Sequence, residues 1–240
     1  MPMSTATKLL LLFGGGGGAF SPLDISGLEL WLDASDSATL FQDSAGTTPA
    51  TADTDPVGYW GDKSGNGNHI TQPTAGLRPI LKTAALNGRN AILWDETDDM
   101  MENATISVAQ PDTIFAAVRL STTDQYLFDG GASRQAVFTP ISNHVMFAGS
   151  TPAVTNLTAN TSYILTYQFN GTNFARINGT KTNEVSSGSN ALTGLFLGNR
   201  FSLPSGFGGH IAEFLIYSGA LSTTQMTTIE SYLNAKWAVY

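Results

Sequence analysis

Nineteen of the 240 residues are Asp or Glu, and carboxylates are the side chains here best able to hold a cation or move a proton. They fall in groups: Asp33 with Asp36, Asp53 with Asp55, Asp62, and the run Asp95, Glu96, Asp98, Asp99. Carboxylate oxygens combined with backbone carbonyls suit calcium, a hard cation that takes oxygen ligands. Asp33, Asp36, Asp62 and Asp95 are the residues that could ligate it. The plainer alternative is that Asp beside Asn and Gly forms turns by accepting bonds from its own backbone, and no twelve-residue EF-type loop is present.

Other chemistry is thin. His69, His144 and His210 show no metal-ligand spacing, and a lone histidine is most often a structural hydrogen-bonder. Cysteine is absent, which removes thiol nucleophiles, thiolate metal sites and disulfides. No Gly-x-Ser-x-Gly elbow, Walker loop or dinucleotide fingerprint occurs. Aromatic side chains in loops offer another function, because they can stack on sugar rings. Tyr59, Trp60 and Phe207, the last among Gly206, Gly208 and Gly209, are the candidates. Against this stands the habit of a Trp ahead of a turn to anchor its loop in the core.

These residues need a scaffold, and the sequence describes one. Leu28–Asp33, Ala91–Trp94, Thr113–Arg119, Tyr126–Phe128, Ala136–Phe138, His144–Phe147, Tyr163–Phe169, 194–197 and Gly209–Tyr217 read as short strands. Asn170-Gly171 and Asn178-Gly179 are hairpin signals. Residues 42–58 lack apolar periodicity and read as a surface loop. One helix is expected, from Ser222 to Trp237: Ser222 and Gln225 form a capping box, and Met226, Ile229, Leu233 and Trp237 recur at helical spacing. It should lie as a lid on the edge of a sandwich.

Composition agrees with one all-β unit. Hydrophobic residues make up 42%, enough for a sizeable core, while charged residues are only 12%. The net charge of −8, without a Lys/Arg cluster, opposes binding to nucleic acid or adhesion to an anionic membrane. Residues 1–24 stand apart. Lys8 precedes Leu9, Leu10, Leu11, Leu12 and Phe13, and five glycines follow. That apolar run is too short for a secretory signal core or a membrane span. Two readings compete: a strand folded on the chain's own sandwich, or an arm inserted into a neighbouring subunit, with a degenerate signal sequence as a third.

The order of several segments resembles that of the LamG-like, concanavalin A-type jelly-roll domains of bacteriophage structural and secreted bacterial proteins. The carriers are Leu30-Trp31-Leu32-Asp33, Tyr59-Trp60-Gly61-Asp62 running to Gly65-Asn66-Gly67-Asn68, Leu93-Trp94-Asp95, and Gly209-His210-Ile211-Ala212-Glu213 ahead of the final helix. The resemblance covers residues 25–240 and implies an all-β, two-sheet antiparallel jelly-roll sandwich with one C-terminal helix. It also implies calcium at a loop rim, although Glu96 stands where the family commonly has glycine. Glycanases of this architecture carry Glu-x-Asp-x-x-Glu on one strand, and this chain lacks it, so no enzyme is expected. The first functional reading is a virion decoration or appendage subunit, a homotrimer docked through Leu9–Phe13 on capsid or tail, assembled in the host cytoplasm. A secreted or cell-surface glycan-binding adhesin comes second and a glycoside hydrolase third.

Overall fold

The structure, a computed structural model, describes residues 19–122, 125–131, 134–139, 143–201 and 205–240. Its strands are β1 (Leu28–Asp33), β2 (Leu40–Phe41), β3 (Tyr59–Trp60), β4 (Ile70–Thr71), β5 (Ile80–Leu86), β6 (Arg89–Asp95), β7 (Met101–Val108), β8 (Asp112–Leu120) and β9 (Gln125–Asp129). They continue with β10 (Ala136–Thr139), β11 (Asn143–Phe147), β12 (Ala153–Asn156), β13 (Ser162–Phe169), β14 (Phe174–Ile177), β15 (Thr180–Lys181), β16 (Leu192–Leu197) and β17 (Gly208–Ser218), and the chain closes in α1 (Thr223–Trp237).

All strand pairs are antiparallel. An eight-stranded sheet runs β15-β14-β13-β8-β17-β6-β5, with β1 also paired to β17; a nine-stranded sheet runs β12-β11-β10-β9-β16-β7-β4-β3-β2. The expected two-sheet sandwich with one helix is the observed fold. Between the sheets lie Trp60, Trp94, Phe128, Tyr167, Phe169, Phe207 and Phe214, all but removed from water. Period-two alternation explains the sorting: in β16, Leu195 and Leu197 enter the core while Phe196 faces outward.

A second apolar layer corrects the expected place of the helix. Met226, Ile229, Leu233 and Trp237 pack on Phe115, Ala117, Ile164, Leu215 and Tyr217, residues of the central strands β8, β13 and β17. The helix therefore covers a face of the eight-stranded sheet, not an edge. Its start is the expected capping box, with Gln225 N–H donating to Ser222 Oγ at 3.3 Å and Ser222 N–H to Gln225 Oε1 at 2.9 Å. Burying each of the four large side chains contributes about 1.5–3 kcal/mol.

Two ion-pair clusters fix the helix in place. Arg176 on β14 reaches Glu230 through Nε at 2.7 Å and Nη2 at 2.8 Å, and Thr166 donates to the same carboxylate. Lys236 bridges Asp33 at 2.7 Å and Glu213 at 2.9 Å. The chain ahead of β1 joins this layer: Phe20 meets the Tyr232 ring edge-on, and Tyr217 donates to the Pro22 carbonyl. Residues Leu9–Phe13 of the expected arm lie outside the described residues.

The Asn178-Gly179 turn takes φ of 50° and 78°, the left-handed pair that a two-residue type I′ hairpin requires, and joins β14 to β15. Asn170-Gly171 instead opens a four-residue loop in which the Asn170 and Gly171 N–H groups donate to Asn173 Oδ1.

Candidate ligand-binding face

Cross-strand register builds the site. Phe147, Ala136, Asp129, Phe196, Glu102, Thr71, Tyr59 and Phe41 pair in succession across β11, β10, β9, β16, β7, β4, β3 and β2. Directly opposed residues share a face, so these eight form one row on the outer side of the nine-stranded sheet. Their chain neighbours Met146, Val137, Phe128, Leu197, Met101, Ile70, Trp60 and Leu40 point into the core. Four aromatics therefore lie in a single row, and Tyr126 stacks on Phe138 beside it at 4.6 Å.

The row passes a cleft at Phe196. It has a volume of about 350 Å³ and is lined by Ala104, Thr105, Ser107, Gly131, Phe196 and Phe201 among others. Its floor is glycine: β16 bulges at Gly194, whose φ is +75°, and Gly131 N–H donates to the Thr193 carbonyl. Glycine is required for this close packing: a Cβ at Gly131 would lie 2.7 Å from the Thr193 carbonyl oxygen, and Gly194 holds a positive φ. Phe201 forms the wall. It is 53% exposed and meets Phe196 edge-on at 4.9 Å.

Asp129 braces this wall. Its carboxylate, fully buried, accepts from Arg134 Nε at 2.8 Å and from Phe201 N–H at 3.2 Å. Burial raises its pKa, against the lowering effect of Arg134. Arg134 and Arg200 lie over the Phe147 and Tyr126 rings, at 5.1 and 5.9 Å. The cleft thus offers phenyl surface beside the hydroxyls of Thr105 and Ser107, elements that hold a neutral polyhydroxylated ring.

Of the three aromatics expected from sequence, only Tyr59 belongs to this face, where it packs between Phe41 and His69. Trp60 and Phe207 are corrections: they are 0% and 1% exposed, inside the core, and cannot stack on a ligand. Trp60 follows Tyr59 in a strand, so it turns to the opposite side. Phe201, which the sequence reading passed over, has no periodic signal around it. Only the fold of the segment after β16 sets it against Phe196.

The expected calcium ligands are not gathered in one place. Asp33 is salt-bridged to Lys63 and Lys236, and Asp36 to Lys63. Burial opposes ionisation of Asp33, yet Lys236, Ser35 and Lys63 hold its pKa below the usual range. Asp62 is a turn former: it accepts from Trp31, Ser64 and Asn68 N–H groups. Asn66 and Asn68 then donate to the Leu28 and Glu29 carbonyls, so this loop shields the edge of β1. Asp95 instead joins Asp98 and Asp99, with ligand atoms within 4.8 Å of one another, the one such carboxylate group among the described residues. Burial and the charge of Asp95 raise Asp99 to about 6. Glu96 holds φ of 70° where the resemblance has glycine.

The buried histidine is structural in its surroundings. His144 Nε2 lies 2.6 Å from Tyr167 Oη and its Nδ1 3.0 Å from Thr139 Oγ1, while burial lowers its pKa to about 3.

No protein-family profile and no curated protein sequence matches the chain. Its architecture is similar to several solved structures. Domain 4 of a GH43 extracellular arabinanase from Geobacillus stearothermophilus, solved in complex with arabinotriose, matches with a TM-score of 0.58 and 16% identity, over 85% of this chain and 98% of that one. The ligand-binding domain of botulinum neurotoxin serotype D, in complex with N-acetylneuraminic acid, gives 0.59 and 11%, over 86% and 51%. A sialidase from Trypanosoma rangeli gives 0.54 and 9%, over 86% and 33%. The chain thus spans nearly all of the first, about half of the second and a third of the third. What it shares with them is the β-sandwich fold.

Proposed function

We propose that this domain is a carbohydrate-binding module that holds a neutral glycan against the outer face of the nine-stranded sheet. The observation that carries the reading is the Phe201–Phe196 cleft, an exposed ring above a glycine floor on a face lined by aromatics. Sandwich domains of similar fold have been solved with arabinotriose and N-acetylneuraminic acid, which supports a sugar as the class of ligand. Binding without hydrolysis is the reading favoured by the sequence, since the paired-carboxylate signature is missing and Asp129 in the row is occupied by Arg134 and Phe201. A glycan array followed by calorimetry tests it. The expected result is binding to neutral polysaccharides that falls about tenfold in Phe201→Ala, the loss of one stacking contact; an array with no signal refutes it.

A second reading concerns where the module works. The run Leu9–Phe13 on its glycine tether, with few charges overall, supports a homotrimeric appendage docked on a virion, whose exposed sheet would meet a host surface glycan. Five such side chains would bring several kcal/mol to an interface at about 1.5–3 kcal/mol each. Deleting residues 1–18 should leave a folded domain that no longer assembles on particles. Normal docking by the truncated protein would refute it.

A further inference from the structure

Asp112 and Gln135 face each other from different sheets. Asp112 opens β8 in the eight-stranded sheet, Gln135 stands just ahead of β10 in the nine-stranded one, and both are completely buried. Gln135 Nε2 donates to Asp112 Oδ1 at 2.7 Å and also to the Asn190 carbonyl at 3.1 Å. The other oxygen of each side chain, Asp112 Oδ2 and Gln135 Oε1, has no partner. Two orphaned acceptors on a bonded acid and amide are resolved by a single proton between them. An unpartnered buried polar atom is otherwise costly.

We propose that Asp112 is protonated in the folded protein and donates from Oδ2 to Gln135 Oε1, closing a two-bond acid–amide pair that latches the sheets and opens on ionisation. Among the described residues no charge stands ready to stabilise the ionised form. Phe169 and Ser218 are the partners of Asp112 on the flanking strands β13 and β17. His144 and Tyr167, the titratable pair of the inter-sheet interior, bond each other, and Arg134 beside Gln135 turns to Asp129. Burial, eased only by the Gln135 bond, raises Asp112 to about 7. On ionisation the proton leaves to solvent and the carboxylate faces the Gln135 carbonyl oxygen, a repulsive contact.

The sign follows. Unfolded, the group ionises near pH ~4, so between about 4 and 7 the folded chain holds the extra proton and loses stability as pH rises. Asp112→Asn supplies the test, since an asparagine is neutral and donates from the same position. Urea unfolding of both proteins from pH 4 to 8 should show the wild-type unfolding constant climbing relative to the variant by about tenfold per pH unit, then running parallel above 7. Parallel curves throughout would mean an ionised Asp112, and so would a difference that appears only with added calcium. The unmutated protein gives an independent reading by carbon NMR of the Asp112 side-chain carboxyl: titration near 7 supports the pair, and titration near 4 overturns it, whether or not the variant folds.

Discussion

Trp237 donates its indole N–H to Glu213 Oε2 at 2.7 Å, so the last residue of the helix is bonded to a carboxylate in the middle of β17. Trp31 and Tyr232 donate to the other oxygen, at 2.7 and 2.8 Å, and Lys236 completes the shell. Burial raises the Glu213 pKa, as does Asp33, while Lys236 and the indole bond work against it. Removing one partner of a buried pair strands the others. Glu213→Ala should therefore cost about 3 kcal/mol or more in urea unfolding, and Glu213→Gln less, because the amide oxygen still accepts an indole. A cost below 1 kcal/mol for the alanine variant would contradict this arrangement.

The helix start gives a smaller effect. Ser222→Ala removes the acceptor for Gln225 N–H and should lower stability by about 1 kcal/mol, read as a shift in thermal midpoint. An unchanged midpoint would show that packing alone sets the first turn.

Phe201 and Trp60 should separate binding from stability. Trp60→Ala empties a core position and should cost about 3–5 kcal/mol, whereas Phe201→Ala should leave unfolding nearly unchanged and weaken glycan binding. Asp129→Ala should weaken binding with Phe201 still present, because it frees the backbone that Asp129 holds. Calorimetry on a variant shown folded by circular dichroism checks the last point; full affinity would remove Asp129 from the positioning of Phe201.

His144 gives the acid side of the pH profile. Its folded pKa is depressed to about 3, whereas the unfolded side chain takes a proton near ~6.5. Between those values the unfolded chain binds more protons, so stability is lost as pH falls. His144→Gln should flatten that limb relative to wild type, whatever it does to absolute stability. An unchanged slope below pH ~6 would mean that His144 is charged in the fold.

Much of the fold was legible because local chemistry and tertiary structure agree. Ser222 with Gln225, the spacing from Met226 to Trp237, and Asn178-Gly179 each carry their own geometry. β7 did not, since Met101–Val108 buries only part of one face and interleaves Glu102, Asn103 and Thr105. Residues 42–58 hid Ala50 and Val57, which are core residues inside a polar loop. The binding face was the least legible part. Its row takes one residue from each of eight strands, from Phe41 to Phe196, and no local periodicity of sequence links them. Tyr59 and Trp60 could not be separated until strand register gave each a side.

β17 has a consequence for how the molecule is made. It joins β8 along one edge and both β6 and β1 along the other, so three earlier strands meet only through it. During synthesis those strands leave the ribosome long before their common partner. They must wait with open edges, and because such long-range pairing is slow, the nascent chain is most exposed to misassociation until about residue 218 has emerged.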